Sequence, residues 1–571
     1  MWNVLLKRSR LLIDTLRNAP ERVATTARLA VGTGILWELT VPGTRELVRI
    51  LWRGSQNPAQ IYRLHGINSP DKIALIYHDR ALTWGEVDAR IDRLAAGLTK
   101  RGITKGKSLL VMMRNSIEFV EIGAAASRLG ASAVTISWRS TAKELAYLAS
   151  DSGAVGLVID EALLPVIEHA KGELPDALIA NLIVVSTGRA LAEPAGYVAY
   201  ESLLDNASTR VGRNEPDAIV DDDASLVIYT SGTTGKPKGA VRKFPKDTMN
   251  AAFRFINETP FRVDDIHLVA CPLYHTTAFG FMSFSLLLGN TVVLMDDFKP
   301  EAFLQTVQRH RITTTAVVPT MLHRVLELPQ EVRMKYSARS LRTVIVGGAP
   351  LPTPQALSFM DEFGDVLYQF YGATETGLVT LASPADMRAA PGTIGKALPG
   401  NSIRLLDDDG RDVPAGKVGE LYVKNQLLVA GYHGNEAETR ASMRDGYFSV
   451  GDLARCDDRG RYFLEGRKRD MVISGGVNVY PAEVEGVLEH HPDIAEVAIV
   501  GMPDAEWGER VCAFVVLKPG RSVDAGALKA FTREKLAGPK VPRDFIFLDT
   551  LPRNPTGKVL KRQLHDVYAK K

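Results

Sequence analysis

An eleven-residue run, Tyr229-Thr230-Ser231-Gly232-Thr233-Thr234-Gly235-Lys236-Pro237-Lys238-Gly239, concentrates the groups that a bound polyphosphate requires. Glycines let successive amides turn toward one point, serine and threonine hydroxyls donate hydrogen bonds, and Lys236 and Lys238 neutralise charge. An apolar stretch at 226–229 precedes the run and reads as a strand, which a plain Gly/Ser/Thr linker would not need. A Walker loop would require Gly at 230 and Ser or Thr at 237, where the chain has Thr230 and Pro237. The segment therefore points to nucleotide phosphates held by something other than an ordinary NTPase loop.

Further blocks follow. They are Pro272-Leu273-Tyr274-His275, Gly347-Gly348-Ala349-Pro350-Leu351-Pro352, Tyr371-Gly372-Ala373-Thr374-Glu375-Thr376 and Gly451-Asp452-Leu453. The series closes with Gly466-Arg467-Lys468-Arg469-Asp470, Ser474-Gly475-Gly476-Val477-Asn478-Val479-Tyr480-Pro481 and Pro555-Thr556-Gly557-Lys558. Taken singly each is ordinary: Glu375 could cap a turn, Tyr371 could simply pack, and a lysine near a C terminus usually faces solvent. As an ordered set over residues 60–562, they resemble the signature of the adenylate-forming superfamily of acyl-CoA synthetases, nonribosomal adenylation domains and luciferases. Within it the chain looks most like a bacterial fatty-acid–CoA ligase.

That resemblance implies two half-reactions. A carboxylate attacks the α-phosphate of ATP to give acyl-AMP and pyrophosphate, and the CoA thiol then displaces AMP. Thr230, Ser231, Gly232, Thr233, Thr234, Gly235, Lys236 and Lys238 would hold the outer phosphates. Glu375 would ligate Mg²⁺, with Thr230 beside the metal; one carboxylate suffices on an ion already held by phosphates. Tyr371 would stack on adenine, with Gly348, Ala349 and Gly372 close by, and Thr374 would meet the α-phosphate. Asp452 and Arg467 would clasp the ribose. Lys558 would bridge the substrate carboxylate and the α-phosphate as charge gathers there. Ser474, Gly475 and Gly476 would line the pantetheine tunnel of CoA after the last domain rotates. Arg469 stands at the hinge position, where the family pattern has Asp or Lys.

The acid is less constrained. His275 resembles the family's acyl-pocket histidine, and Phe279 and Gly280 begin an apolar cluster running to Leu288. That cluster reads equally as an alkyl tunnel or as a core helix over 277–288. No aspartate near 274–280 stands ready for a substrate ammonium, so an amino acid is disfavoured. The leading expectation is a medium- to long-chain fatty acid. Alternatives are an aryl or branched acid, an acyl-AMP synthetase serving a carrier protein, and, least supported, a silent nucleotide-binding scaffold.

The elements that must position these residues are readable. Apolar runs at 73–77, 109–113, 155–159, 182–185, 226–229, 291–294, 315–318 and 343–346 read as strands buried on both faces. That pattern means parallel sheet covered by helices. Thr83 and Glu86 form a capping box ahead of Val87, Ile91, Leu94 and Leu98. From 395 the texture turns to short strands broken by Asp407-Asp408-Asp409-Gly410 and Pro414-Ala415-Gly416. The last hundred residues read as helix 481–490, strands 494–500 and 511–517, and helix 525–536. The fold class is α/β. A helical extension (1–58) leads into a large body of stacked mixed sheets (59–394), followed by a β-rich subdomain (395–468) and a small mobile α+β domain (469–571).

The 571 residues carry 69 Lys and Arg against 66 Asp and Glu, a net charge of +3 that gives no reason to expect nucleic acid as a partner. Nothing selects an oligomeric state. Three scattered cysteines form no CxxC pair, and adjacent His490 and His491 point apart on a helix, so neither zinc nor a disulfide framework is expected. A reducing, cytoplasmic setting follows. Residues 1–53 hold nine Lys and Arg against four Asp and Glu, and Leu5, Leu12 and Leu16 share a helical face opposite Lys7, Arg10 and Arg17. Two readings stand there: a foot on the inner face of the cell membrane, or a helical pair packed on the body. The most apolar stretch, 29–37, is too short to span a bilayer.

Overall fold

A computed structural model of the chain describes residues 31–53, 57–186, 196–205, 225–230, 238–243, 248–428, 436–553 and 558–568. The chain separates into two compact units, the first comprising residues 1–316, 336–343 and 429–436 and the second residues 317–335, 344–428 and 437–571.

The first unit contains a seven-stranded sheet. Its order is Val198–Ala199, Leu182–Val185, Gly156–Asp160, Ser108–Met112, Ser132–Thr135, Ser225–Thr230 and Lys238–Lys243. Every pairing is parallel except the last, where Thr230 lies opposite Lys238. The central strands are buried residue after residue, and Leu182–Val185 is apolar throughout, as cover by helices on both faces favours. A second group in this unit pairs Ile73–Tyr77 and Ile266–Val269 in parallel with Thr291–Leu294, while Arg80–Thr83 turns back along Ile73–Tyr77.

Helix Trp84–Lys100 begins at the expected box. The Glu86 amide donates to Thr83 Oγ1 at 3.3 Å, and the Thr83 amide donates to Glu86 Oε2 at 2.8 Å. Val87, Ile91, Leu94 and Leu98 are buried along one face, each worth about 1.5–3 kcal/mol relative to exposure. Gly97 lets the backbone of Leu203 approach; a Cβ there would lie 2.5 Å from the Leu203 carbonyl oxygen. A Gly97→Ala change would push these segments apart.

In the second unit Thr343–Val346 runs parallel to Leu367–Ala373, which pairs antiparallel with Gly377–Ala382. An antiparallel sheet follows, built on Ser402–Leu406, Gly419–Lys424, Asp452–Cys456 and Tyr462–Arg467. Its core includes Leu405, Leu421, Val423 and Ala454 and also takes in Tyr371, Val379 and Ile394 from upstream. The C-terminal segment has cores of its own, one around Val472, Val479, Leu488, Ile499 and Leu528 and another around Phe514, Leu551 and Leu564.

Several element ends differ from the sequence reading by one or two residues. The strand expected at 109–113 is Ser108–Met112, that at 155–159 is Gly156–Asp160, and that at 315–318 is Thr314–Val317. The larger difference is a long hairpin, Ile494–Asp504 against Gly508–Leu517, whose polar end at Asp504 and Gly508 carries no apolar signal. The helices expected at 481–490 and 525–536 stop earlier, at Leu488 and Arg533.

Candidate active site

In the second unit, hairpin register places two of the expected residues side by side. Asp452 and Arg467 are directly opposed on Asp452–Cys456 and Tyr462–Arg467. Arg467 Nε lies 3.1 Å from Asp452 Oδ1, and the Tyr371 hydroxyl donates to Asp452 Oδ2 at 2.8 Å. Tyr371 comes from Leu367–Ala373, where the ladder is irregular between Tyr371 and Gly372. Gly372 is required there because a Cβ would overlap the Gly377 carbonyl. Tyr371 is only 8% exposed, so the contact the structure gives it is the strut to Asp452. Burial, with Asp452 adding to it, holds its phenol well above the usual tyrosine range.

Lys558 joins this cluster. Its ammonium is held down to about 8, chiefly by burial, with Arg467 adding to the effect and Asp452 opposing it; Arg469 and Asp470 also act on it. Arg469 sits in the short turn Lys468–Asp470, its Nε 3.5 Å from Asp470 Oδ1. Glu375 is half-buried in the turn joining Leu367–Ala373 to Gly377–Ala382, where the Ala373 amide donates to Thr376 Oγ1 at 3.1 Å. Thr374 lies in the same turn. Gly347 leaves room for the Phe370 ring, and Gly348 adopts φ +80°, a conformation that favours glycine.

The arrangement suits a nucleotide. The strand-end carboxylate of Glu375 is a hard oxygen donor of the type Mg²⁺ takes alongside phosphates. Among the described residues no group of three His, Cys, Asp or Glu is placed to hold a metal ion. Ser474, Gly475 and Gly476 form the hairpin between Val472–Ser474 and Val477–Val479, with positive φ at both glycines. The Gly475 amide donates to the Trp507 carbonyl at 2.9 Å, and a Cβ on Gly475 would reach 2.5 Å from the Trp507 ring.

The first unit holds the other residues. His275 is the N-cap of helix Thr276–Leu287 in an extended conformation. Burial, and then Arg139, lowers its imidazole to about 4, so it is neutral at pH 7. Among the described residues, His275 Nε2 and the Tyr274 hydroxyl are buried with no hydrogen-bond partner. Of the two readings of this segment, helix and core hold for Phe281, Met282 and Leu286, which are buried, and Phe281 packs 5.4 Å from Phe255. Phe279 and Gly280 are half-buried, and the space beside Gly280 is open.

Sequence reading missed Asn115. Its Nδ2 donates to the carbonyls of Cys271 at 2.9 Å and Met295 at 2.8 Å, and its Oδ1 accepts from the Leu273 amide at 2.7 Å. One side chain thus fixes the approach to His275. The only signal available was a buried-type Asn just before the Ser116 cap of helix Ile117–Arg128. Lys468 was also missed as a contact; its Nζ reaches Asp408 at 2.8 Å and Glu420 at 3.1 Å. Thr230 and Lys238 are paired strand residues, and Ser231, Gly232, Thr233, Thr234, Gly235 and Lys236 lie outside the described residues, as do residues 1–30.

This α/β body, with a strand-borne tyrosine, aspartate and arginine beside a half-buried lysine, has the residues an adenylate-forming enzyme would need. The AMP-binding enzyme family profile matches residues 65–433, and that of the AMP-binding enzyme C-terminal domain matches residues 483–558. An indoleacetate–CoA ligase of Aromatoleum aromaticum is 33% identical, covering 89% of this chain and 97% of its own. The long-chain-fatty-acid–CoA ligase FadD13 of Mycobacterium tuberculosis is 32% identical over 86% of this chain and 94% of its own. The solved anthranilate CoA ligase AuaEII, in complex with anthranoyl-AMP, superposes with a TM-score of 0.82 at 27% identity, covering 90% of this chain and 97% of that one. The chain belongs to the AMP-binding enzyme family and is an AMP-forming acyl-CoA synthetase of the adenylate-forming superfamily.

Proposed function

We propose that this synthetase activates a carboxylic acid with an apolar tail, a medium- to long-chain fatty acid first among them, and passes it to CoA. The observation that carries the reading is the cluster of Lys558, Arg467 and Asp452 beside Tyr371. Asp452 and Arg467 bind and orient the ribose. Lys558 stabilises charge where the acid's oxygen forms its bond to the α-phosphorus and the bond to the pyrophosphate oxygen breaks. Mg²⁺, when bound at Glu375, supplies charge neutralisation on the phosphates. In the second half-reaction the CoA sulfur bonds to the acyl carbon, the bond to AMP oxygen breaks, and the thiol proton leaves. Ser474, Gly475 and Gly476 flank that thiol after rotation at Arg469, and closure keeps water from the acyl-AMP.

For the acid, the half-buried Phe279 and the open side of Gly280 support an apolar tail. An aryl or polar-tipped acid is the second reading, favoured by the buried, unpartnered His275 Nε2 and Tyr274 hydroxyl, which a substrate oxygen would satisfy. Acid-dependent ATP–pyrophosphate exchange across saturated C6–C18 acids, indole, cinnamic and benzoic acids tests both, followed by addition of CoA or a carrier protein. A preference for aryl acids sinks the fatty-acid reading. ADP as product sinks the whole proposal.

A further inference from the structure

Helix Val41–Arg53 exposes a largely apolar stripe. Its inward side carries Gly43, where a Cβ would overlap Asn68, and Glu46, which is buried and paired with Arg49. Its outward stripe, at spacings of four, three and four, is Val41, Arg45, Val48 and Trp52. Val41 is 86% exposed, Val48 56% and Trp52 90%. Trp37, in the short helix Ile35–Glu38 just before, is 85% exposed. A soluble helix normally turns such residues to the core and its charges to water. Here the start of the helix is anchored by Gly43 against Asn68 and by the Thr40 amide and hydroxyl donating to Asn68 Oδ1, while Val41, Val48 and Trp52 are left in solvent.

We propose that this stripe is a docking surface for an anionic lipid bilayer. Trp52 on the stripe and the exposed Trp37 just before it suit the headgroup region, where an amphipathic ring has its apolar body in acyl chains and its N–H in water. Arg45 sits on the same stripe as Val41, Val48 and Trp52, and while Arg49 is matched by Glu46, Arg45 has no ion-pair partner among the described residues. Anionic headgroups complement that pattern. The thirty residues preceding the described chain carry six Lys and Arg against two Asp and Glu. They share the sign of Arg45. A second copy of the chain fits worse, because two-fold pairing of the stripe would bring Arg45 into an apolar contact facing its own equivalent.

Sedimentation of the full chain with vesicles of phosphatidylcholine, with and without phosphatidylglycerol, tests the assignment. We expect binding to the anionic vesicles that weakens with salt. Trp37→Ser with Trp52→Ser should weaken it about tenfold or more, and Arg45→Glu by at least about tenfold, with AMP formation in solution unchanged. All three positions are exposed, and unchanged AMP formation verifies the fold. Equal pelleting of parent and both variants would overturn the proposal, as would absence of binding to either vesicle. A parent that sediments as a dimer without binding vesicles, and that the Trp substitutions render monomeric, would assign the stripe to a second copy instead.

Discussion

Lys558 offers the sharpest test, because its environment sets both its charge and its role. Lowering an ammonium from 10.5 to about 8 corresponds to about 3 kcal/mol of disfavoured charge. The sign matters. The folded group loses its proton near pH 8 and the unfolded one near 10.5, so the unfolded chain binds more protons between those values. This group therefore opposes folding at neutral pH, and its penalty fades as pH rises through that window. The same reasoning governs ligands. An anion arriving beside Lys558 restores the charged form, so ATP binding at pH 8.5 should draw in up to about three-quarters of a proton. Calorimetry in buffers of differing ionisation enthalpy reads that number directly. In acid-dependent pyrophosphate exchange, kcat/KM for ATP should fall above about pH 8, and the limb in kcat should lie higher because bound phosphates favour the ammonium. Lys558→Arg should abolish the limb while keeping some activity. Lys558→Ala should cost about 10²–10³-fold in adenylation and spare thioester formation from supplied acyl-AMP. Zero proton uptake, or the same limb in Lys558→Arg, would refute the reasoning.

Other outcomes follow from single contacts. Tyr371→Phe removes the 2.8 Å bond to Asp452 and should weaken AMP binding about tenfold by calorimetry, since a hydrogen bond to a charged group contributes about 1.5–3 kcal/mol. Asn115→Ala strands two carbonyls and an amide and should cost about 2–4 kcal/mol, read as a lower urea midpoint. His275→Ala should change the ranking of acids by about 10–100-fold in kcat/KM while leaving KM for ATP within about twofold. Because His275 is already neutral above about pH 4, its replacement should not alter the pH profile between 6 and 8.

The fold was legible where one signal dominated. Uniform apolar runs betrayed buried parallel strands, and Thr83 with Glu86 marked a helix start to the residue. Ends blurred where hydrogen bonding and hydropathy part company. Ser108 joins the ladder opposite Ser132 though it is polar, and Met113 is buried beyond the strand's end. The candidate site residues were legible as types in order and illegible as contacts. Tyr371 and Asp452 are 81 positions apart, and only the sheet that each strand enters brings them together. Asp452 and Arg467 meet because a hairpin register with one irregularity opposes them, which spacing alone does not encode. Asn115 escaped notice because its partners are backbone carbonyls, and backbone leaves no trace in composition.

These contacts also explain why a lysine is placed where its charge is disfavoured. Arg467 and Arg469 disfavour the Lys558 ammonium, and Asp452 and Asp470 oppose them. Asp452 is further committed to the Tyr371 hydroxyl and to Arg467, which limits how much of its charge Lys558 receives. An arginine at 558 would stay charged regardless, and a solvated lysine would stay charged regardless. A half-buried lysine beside two arginines is further stabilised as an ammonium when an anion arrives. Protonation and nucleotide binding are then reciprocal by linkage, each strengthening the other by the same factor. On the role proposed for Lys558, its positive charge is favoured most when a phosphate is present to use it.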